Sequence, residues 1–232
     1  MNDREKPILC YVTGRRSLSA LTDAAMLADK IASIAAAGVD WVQIREKDLS
    51  GRALAELTRE AIARKSATRI IVNDRVDVAV TEEAGGVHLG ETGLPVADVA
   101  KWMKRTGCGA VDRDGGAAPQ FAVETGRDFL VGASCHSLEA AKAAVRDGAD
   151  YIFFGPVFAT PSKAKFGEPQ GVEKLAVVCS AVSVPVIAIG GITLENAREC
   201  IAAGAAGIAA IRLFQDAAEP AQVISELKQL RR

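Results

Sequence analysis

The chain has 232 residues, of which 49% are hydrophobic, and a formal charge of −1 from 28 basic and 29 acidic residues. A chain of this length can build one substantial core, and its balanced charge excludes a general attraction for nucleic acid or an anionic membrane. Any anion site must therefore be local. The five cysteines are scattered and form no Cys-x-x-Cys pair, which argues against structural zinc and predicts a reducing compartment.

The chain start and the hydropathy pattern bear on location. Residues 1–6 lack the apolar stretch of a signal peptide, and no apolar run approaches the length of a membrane span. We therefore expect a soluble, cytoplasmic protein.

Short apolar runs alternate with longer, alanine-rich amphipathic segments, which is typical of repeated βα units around a parallel sheet. The first half predicts strands at residues 8–13, 41–45, 69–72 and 86–89, and helices at about 22–37, 51–65, 77–83 and 95–105. The second half predicts strands at 129–132, 151–154, 184–189 and 206–210, a helix ending near 146 and a last helix at about 220–230. Eight units predict an α/β fold, a single (β/α)8 TIM barrel over residues 1–232.

One stretch interrupts this alternation. Residues 107–127 are rich in glycine and show no clear period. A segment between a helix and the next strand lies on the face of a barrel opposite to the chemistry. We therefore expect a surface insertion here, and the alternative is a contact between subunits of a homo-oligomer.

Four predicted helix ends share a pattern of small residues around a glycine, about two βα units apart. A helix commonly ends in a left-handed residue, which is most easily a glycine. The pattern predicts an internal pseudo-repeat, with helix ends at Gly38, Gly85, Gly148 and Gly204.

Residues 40–48 begin as an apolar strand and end as a cluster of charges. With the two-residue period of a strand, Val42 and Ile44 lie on one face, while Gln43, Arg45 and Lys47 lie on the other. Two cations and an amide on one face suit an anion such as pyrophosphate. The alternative is a sheet edge with a solvated outer face.

Other polar residues also follow the predicted strands. In a TIM barrel the C-terminal ends of the strands share one mouth, where active sites lie. We expect the following residues to form one ring: Gln43, Arg45, Lys47, Asn73, Asp74, His88, Glu91, Ser134, His136, Thr160, Ser162, Lys163, Gly190, Gly191, Ile211 and Arg212. Asn73 and Asp74 also suit a helix cap, and His88, in an apolar run, suits a structural role.

Two loops carry a further signal. Gly190 and Gly191 come between a buried strand and a helix that Thr193 could cap, so backbone N–H groups there could approach a phosphate. Residues 155–171 form a long loop after the sixth strand, and such loops are usually functional or disordered.

Five motifs in this order resemble the thiamine phosphate synthase family. They are Gln-Ile-Arg-Glu-Lys at 43–47, Asn-Asp-Arg-Val-Asp at 73–77, Gly-Val-His-Leu-Gly at 86–90, Gly-Pro-Val-Phe at 155–158 with Thr160 and Lys163, and Ile-Gly-Gly-Ile at 189–192. The resemblance covers nearly the whole chain apart from the predicted insertion.

The resemblance implies a transferase that uses Mg²⁺ to join hydroxymethylpyrimidine pyrophosphate to thiazole phosphate, with pyrophosphate leaving before the thiazole nitrogen attacks. It implies that pyrophosphate is held by Gln43, Arg45, Lys47, Asn73 and Lys163. It places Asp74 on the metal. Because Mg²⁺ is commonly held by one or two carboxylates, several waters and substrate phosphates, we expect Glu91 to approach the metal directly or through water. Pyrophosphate or thiazole phosphate would also contact Ser134, Thr160 and Ser162, and the thiazole phosphate would contact the backbone at Gly191, Ile211 and Arg212.

The chain departs from the family pattern at three places. Gly93 stands where a second metal carboxylate is usual, Arg212 replaces a small hydroxyl residue, and Thr13-Gly14 stands where an acidic residue is common. The related thiazole tautomerases share the barrel and would use His136 as an acid or base. A non-catalytic phosphate-binding protein is the third alternative, and Gln43 with residues 87–90 favours the synthase.

Overall fold

The computed structural model describes residues 6–15, 24–65, 67–106, 129–160 and 168–230. Within them eight parallel strands pair in chain order, and the last pairs with the first, so that they close a barrel. The strands are β1 (Ile8–Val12), β2 (Trp41–Ile44), β3 (Arg69–Asn73), β4 (Gly86–Leu89), β5 (Leu130–Cys135), β6 (Tyr151–Phe154), β7 (Val186–Ile189) and β8 (Gly207–Ala210). The predicted (β/α)8 barrel is confirmed, while the predicted insertion at 107–127, Ser162 and Lys163 lie outside the described residues.

Helices surround the barrel in the order expected for βα units. They are α1 (Ala24–Ala36), α2 (Gly51–Arg64), α3 (Val76–Thr81), α4 (Val96–Thr106), α5 (Leu138–Arg146), α6 (Gly171–Ala181), α7 (Ala197–Ala202), α8 (Arg212–Gln215) and α9 (Pro220–Lys228). The sequence pattern did not predict α6 or the four-residue α8. Of the helices in the described ranges, none is both long and apolar enough for a bilayer crossing.

The strands bury side chains on both of their faces. Val42, Ile44 and Ile70 belong to the outer core between the strands and the helices. Ile71 and Phe153 belong to a second cluster inside the barrel. Burial of one such side chain stabilises the fold by roughly 1.5–3 kcal/mol. The predicted faces of β2 are thus correct, and Gln43, between two outward residues, lies inside the barrel with 2% of its surface exposed.

Three of the four predicted helix-end glycines adopt the left-handed conformation. Their φ angles are 96° at Gly38, 100° at Gly148 and 97° at Gly204. At the remaining helix end the left-handed residue is Glu83, with φ 53°, so the prediction for Gly85 is wrong by two residues. Position 85 requires a glycine for another reason. A β-carbon there would lie 2.5 Å from Cγ of Arg69.

Strand β5 is longer than its sequence predicts. The pattern ends the strand at Gly132, but β5 continues to Cys135, and Ser134 pairs with Phe153 of β6. Gly132 lies within the strand and does not end it. A glycine is needed there because a β-carbon at this position would lie 2.1 Å from Cζ of Tyr151. The glycine therefore makes room for the tyrosine ring, and the longer strand carries Ser134 to the mouth.

Candidate active site

The C-terminal ends of β2 and β3 are joined by side-chain hydrogen bonds. Nε2 of Gln43 donates to Oδ1 of Asn73 at 2.7 Å, and Nδ2 of Asn73 donates to Oδ2 of Asp74 at 2.7 Å. Oε1 of Gln43 is buried and has no hydrogen-bond partner among the described residues. An unsatisfied buried acceptor costs about 1–3 kcal/mol. This oxygen is therefore ready to accept a hydrogen bond from a ligand.

Asp74 is held in a single position by its backbone and both of its carboxylate oxygens. Its φ angle is 60°, a left-handed conformation that aspartate tolerates better than most residues. Its N–H donates to the carbonyl of His88 at 2.9 Å, and its Oδ1 accepts from the N–H of Gly90 at 2.7 Å. Nζ of the exposed Lys47 lies 3.9 Å from Oδ2. The carboxylate thus faces the mouth beside a cation.

Glu46 links the loops that follow β1 and β2. Its Oε1 accepts from Oγ1 of Thr13 at 2.7 Å and from the N–H of Arg15 at 3.2 Å, and its Oε2 lies 3.5 Å from Nε of Arg15. Oγ1 of Thr13 in turn accepts from the N–H of Arg45 at 2.9 Å. Burial, more than any other cause, raises the pKa of Glu46 above its ordinary value. These contacts of Glu46 and Thr13 fix the backbone at Arg45.

Sequence reasoning missed Glu46 as a positioning group. The signal was present, because the two-residue period places Glu46 on the face of Val42 and Ile44 rather than on that of Arg45. A buried carboxylate needs partners. Thr13 and Arg15, which follow the neighbouring strand, supply them.

His88 and Ser134 meet inside the barrel near the mouth. Nε2 of His88 lies 2.9 Å from Oγ of Ser134, and Nδ1 lies 3.2 Å from the hydroxyl of Tyr151. Burial, with a smaller contribution from the charge of Arg45, lowers the pKa of His88 from 6.5 to about 3. The imidazole is therefore neutral, and it orients Ser134.

His136, just beyond β5, faces a different environment. Its Nδ1 donates to the carbonyl oxygen of Gly155. The ring lies beside a cleft between α5 and α6, together with Phe154, Gln170 and Lys174. Phe154 belongs to the outer core, so this cleft lies on the helix side of the strands.

The paired glycines after β7 form a tight backbone turn. Gly190 and Gly191 have φ angles of 98° and 68°. A β-carbon at Gly191 would lie 2.6 Å from the carbonyl oxygen of Ala159, so only glycine fits beneath the loop that follows β6. The N–H of Phe158 donates to the carbonyl of Gly190 at 3.0 Å. The close approach of the two loops explains the glycine pair.

Thr193 lies at the start of the turn that leads into α7. Helix α7 begins at Ala197, and its N-cap residue is Asn196. The N–H of Thr193 donates to Oδ1 of Asn196 at 2.8 Å, and Nδ2 of Asn196 donates to the carbonyl of Gly191 at 3.0 Å. Oγ1 of Thr193 accepts from the N–H of Asn196 at 3.4 Å, and the carbonyl of Thr193 accepts from the N–H of Ala197 at 3.0 Å. Thr193 thus caps the turn that leads into α7, in agreement with the sequence prediction.

The remaining predicted site residues lie at neighbouring strand ends. Ile211 directly follows β8, and the exposed Arg212 begins α8. Strand β8 pairs with β7, which brings this turn beside Gly190 and Gly191. Glu91 is exposed and follows Gly90, the donor to Asp74, while Thr160 is half-buried after β6.

A closed (β/α)8 barrel with this polar mouth is the architecture of TIM-barrel enzymes, which act at the C-terminal ends of their strands. A family model described as thiamine monophosphate synthase matches residues 9–110 and 111–214. The chain belongs to this family, as its motifs predict.

Individual relatives agree with this family. The chain is 38% identical over 229 residues to the thiamine-phosphate synthase of Chlorobium luteolum, covering 98% of this chain and 94% of that one. It is 41% identical over 192 residues to the thiamine-phosphate synthase of Methanoculleus marisnigri, covering 82% and 78%. The structure of the thiamine phosphate pyrophosphorylase from Pyrococcus furiosus is similar with a TM-score of 0.71 at 29% identity, covering 99% and 97%.

Proposed function

We propose that the chain is a thiamine-phosphate synthase that couples hydroxymethylpyrimidine pyrophosphate to hydroxyethylthiazole phosphate. The observation that carries the proposal is the hydrogen-bonded row from Gln43 through Asn73 to Asp74, beside Lys47, in a chain of this family. In the reaction the C–O bond between the pyrimidine methylene and pyrophosphate breaks, and the electron pair leaves with pyrophosphate. The thiazole nitrogen then forms a C–N bond to the methylene carbon.

This chemistry needs a stabilised leaving group and aligned reactants, but no side-chain nucleophile. Arg45 and Lys47 would supply positive charge to the departing pyrophosphate, and Asn73 would position it. Oε1 of Gln43 would accept a hydrogen bond from the bound substrate. The resemblance adds Lys163 to the residues that would hold pyrophosphate, and it implies that Ser162 contacts pyrophosphate or thiazole phosphate.

The residues at the mouth fit a Mg²⁺ ion whose coordination sphere is completed by substrate. Among the described residues no group of three or more His, Cys, Asp or Glu side chains could hold a metal. Mg²⁺ is commonly held by one or two carboxylates, several waters and substrate phosphates. Asp74 would hold the ion, with Glu91 acting directly or through water. When bound, the ion would neutralise charge on the pyrophosphate.

The thiazole phosphate would bind at the turns after β7 and β8. Barrels often bind phosphate at these two loops and at the start of a short extra helix. Gly191, Ile211 and Arg212 have this placement. The hydroxyls of Ser134 and Thr160 would lie between the two substrates.

Purified protein with both substrates and Mg²⁺ tests the proposal. We expect thiamine phosphate and pyrophosphate to form together. Isomerisation of carboxythiazole phosphate without coupling would instead identify a tautomerase that uses His136. Saturable binding of either phosphate ligand without turnover would identify a phosphate-binding protein.

A further inference from the structure

Tyr151 and His88, to which the proposed function gives no role, form a hydrogen-bonded row with Ser134 inside the barrel. The hydroxyl of Tyr151 lies 3.2 Å from Nδ1 of His88, and Nε2 of His88 lies 2.9 Å from Oγ of Ser134. Tyr151 and His88 are each 1% exposed, whereas Ser134 is half-buried at the end of β5. The row therefore runs from the barrel interior to the mouth.

The distances alone do not give the direction of these hydrogen bonds, and the buried tyrosine hydroxyl favours one of the two directions. A buried tyrosine hydroxyl usually finds a hydrogen-bond partner, and burial raises the pKa of Tyr151 well above 10. A protonated tyrosine hydroxyl can donate or accept, and the 3.2 Å contact with Nδ1 of His88 carries no direction of its own. A hydroxyl that donates to Nδ1 pairs its buried proton, whereas one that accepts from Nδ1 leaves its own O–H to pair elsewhere. In a neutral imidazole one nitrogen donates and the other accepts. When the tyrosine hydroxyl donates to Nδ1, Nε2 carries the imidazole proton and donates to Ser134.

This direction matters for what Ser134 presents to a ligand. A serine hydroxyl that accepts from Nε2 keeps its own O–H to donate elsewhere. With the opposite tautomer the serine would donate to Nε2 and present oxygen lone pairs toward the mouth. An anion binds the first arrangement and is repelled by the second.

The packing around the row holds the aromatic rings in place. A β-carbon at Gly132 would lie 2.4 Å from the hydroxyl oxygen of Tyr151. The ring centroid of Phe153 lies 4.2 Å from that of His88, and that of Trp41 lies 4.8 Å from that of Tyr151. Gly132 and Ser134 are two residues apart on β5. The strand that carries the serine thus also makes room for the tyrosine hydroxyl.

We propose that Tyr151 and His88 are positioning residues that hold the Nε2-protonated tautomer of His88 and so direct the Ser134 hydroxyl to donate to the pyrophosphate group. The identity of the anion rests on the proposed function. The direction of the hydrogen bonds rests on pairing the buried O–H of Tyr151 with Nδ1 of His88, which lies 3.2 Å away.

The tautomer can be read directly from nitrogen NMR of the native protein. The chain contains two histidines, so ¹⁵N-histidine labelling gives a simple spectrum. With Mg²⁺ and inorganic pyrophosphate present, we expect a neutral His88 that is protonated at Nε2. Protonation at Nδ1 in the same sample would overturn the proposal.

Calorimetric binding of inorganic pyrophosphate in the presence of Mg²⁺ gives a second readout. Loss of one neutral hydrogen bond typically lowers affinity roughly five- to tenfold. We expect this loss for Ser134→Ala, Tyr151→Phe and His88→Phe, and a smaller loss for His88→Gln, whose amide can still donate. Ile187→Val, in the same interior cluster, should bind like the native protein.

A double variant distinguishes a positioning role of Tyr151 from a general loss of structure. Because Tyr151 acts through Ser134, the double variant Tyr151→Phe/Ser134→Ala should bind pyrophosphate no more weakly than Ser134→Ala alone. The proposal would be overturned if the double variant lost affinity by the product of the two single losses. It would also be overturned if Ser134→Ala bound pyrophosphate as tightly as the native protein. A native protein that shows this coupling but forms no thiamine phosphate would contradict the proposed synthase function and leave the positioning intact.

Discussion

A β-carbon at Gly93 would lie 2.9 Å from Oδ1 of Asp74, closer than such atoms normally approach. The same oxygen accepts the N–H of Gly90 at 2.7 Å, and the N–H of Gly93 donates to the carbonyl of Gly90 at 2.9 Å. The tight turn of residues 90–93 thus packs against the Asp74 carboxylate. Gly93, where the sequence resemblance implies a second metal carboxylate, has no β-carbon and so leaves room for the carboxylate of Asp74.

Gly93→Ala should therefore weaken metal use without removing any ligand. The methyl group would displace Asp74, and disturbance of groups that support a metal ligand typically costs about tenfold or more in metal affinity. We expect the Mg²⁺ concentration for half-maximal synthase activity to rise about tenfold. Thr92→Ala, at the exposed neighbouring position, is the matched control. An unchanged Mg²⁺ requirement in Gly93→Ala would show that Asp74 does not depend on this space.

Asp74 should contribute more to activity than Glu91. Both oxygens of Asp74 are oriented by hydrogen bonds, whereas Glu91 is exposed. Losing a preorganised charge-stabilising group typically costs about a hundredfold in rate, and we expect this for Asp74→Ala but less than tenfold for Glu91→Ala. Activity titrated against Mg²⁺ measures both effects. Native-like turnover by Asp74→Ala, or a native enzyme indifferent to Mg²⁺, would contradict a metal site built on this aspartate.

Arg212 should act on one substrate alone. Its exposed side chain begins α8 beside the glycine turn, where a guanidinium could add a bidentate contact to phosphate. Arg212→Ser should raise the KM for thiazole phosphate about tenfold and leave that for the pyrimidine substrate nearly unchanged. Arg198→Ser, at an exposed position of α7, should change neither constant. Equal effects of Arg212→Ser on both substrates would remove Arg212 from the phosphate site.

Glu46 should make stability depend on pH in a defined direction. Burial raises the pKa of Glu46 in the folded protein, so the folded state binds the proton more tightly than the unfolded state. Its contribution is complete below the ordinary pKa of 4.5 and is lost as the pH rises through the raised value, at no more than about 1.4 kcal/mol per pH unit.

Urea unfolding at several pH values measures this effect. Relative to native protein, Glu46→Gln should gain stability as the pH rises through that window, because glutamine does not ionise. Glu60→Gln, an exposed carboxylate paired with Arg64 on the helix surface, serves as the control. A difference between Glu46→Gln and native protein that is constant with pH would show that the pKa of Glu46 is not raised by folding.

The barrel could be predicted because each buried strand leaves an apolar run and each helix an amphipathic one. The predicted ends of strands and helices were wrong where a glycine could either end an element or make room for a neighbouring side chain. Gly132 looked like a strand end but makes room for Tyr151, and Gly85 looked like a helix end but makes room for Arg69. Helix α8 has only four residues, which is too short for a helical period to show.

The candidate site was predicted by position but not by its contacts. Residues at adjacent strand ends were expected to meet, and Gln43 does contact Asn73. Which atoms meet depends on the register of β2 against β3, in which Gln43 pairs with Ile71, and one sequence does not reveal that register. The same limit applies to the row from Tyr151 to Ser134, because these residues lie on different strands.

In the proposed reaction, pyrophosphate leaves at the mouth built by Gln43, Asn73 and Asp74. The most direct measurement follows thiamine phosphate and pyrophosphate in one reaction, for native protein and for Gln43→Leu. Native protein should form the two products in equal amounts, and Gln43→Leu should lose both together, whereas Gln170→Leu, in the cleft between α5 and α6, should retain both. Equal and undiminished formation of both products by Gln43→Leu would contradict a role for Gln43 and for this mouth in pyrophosphate release.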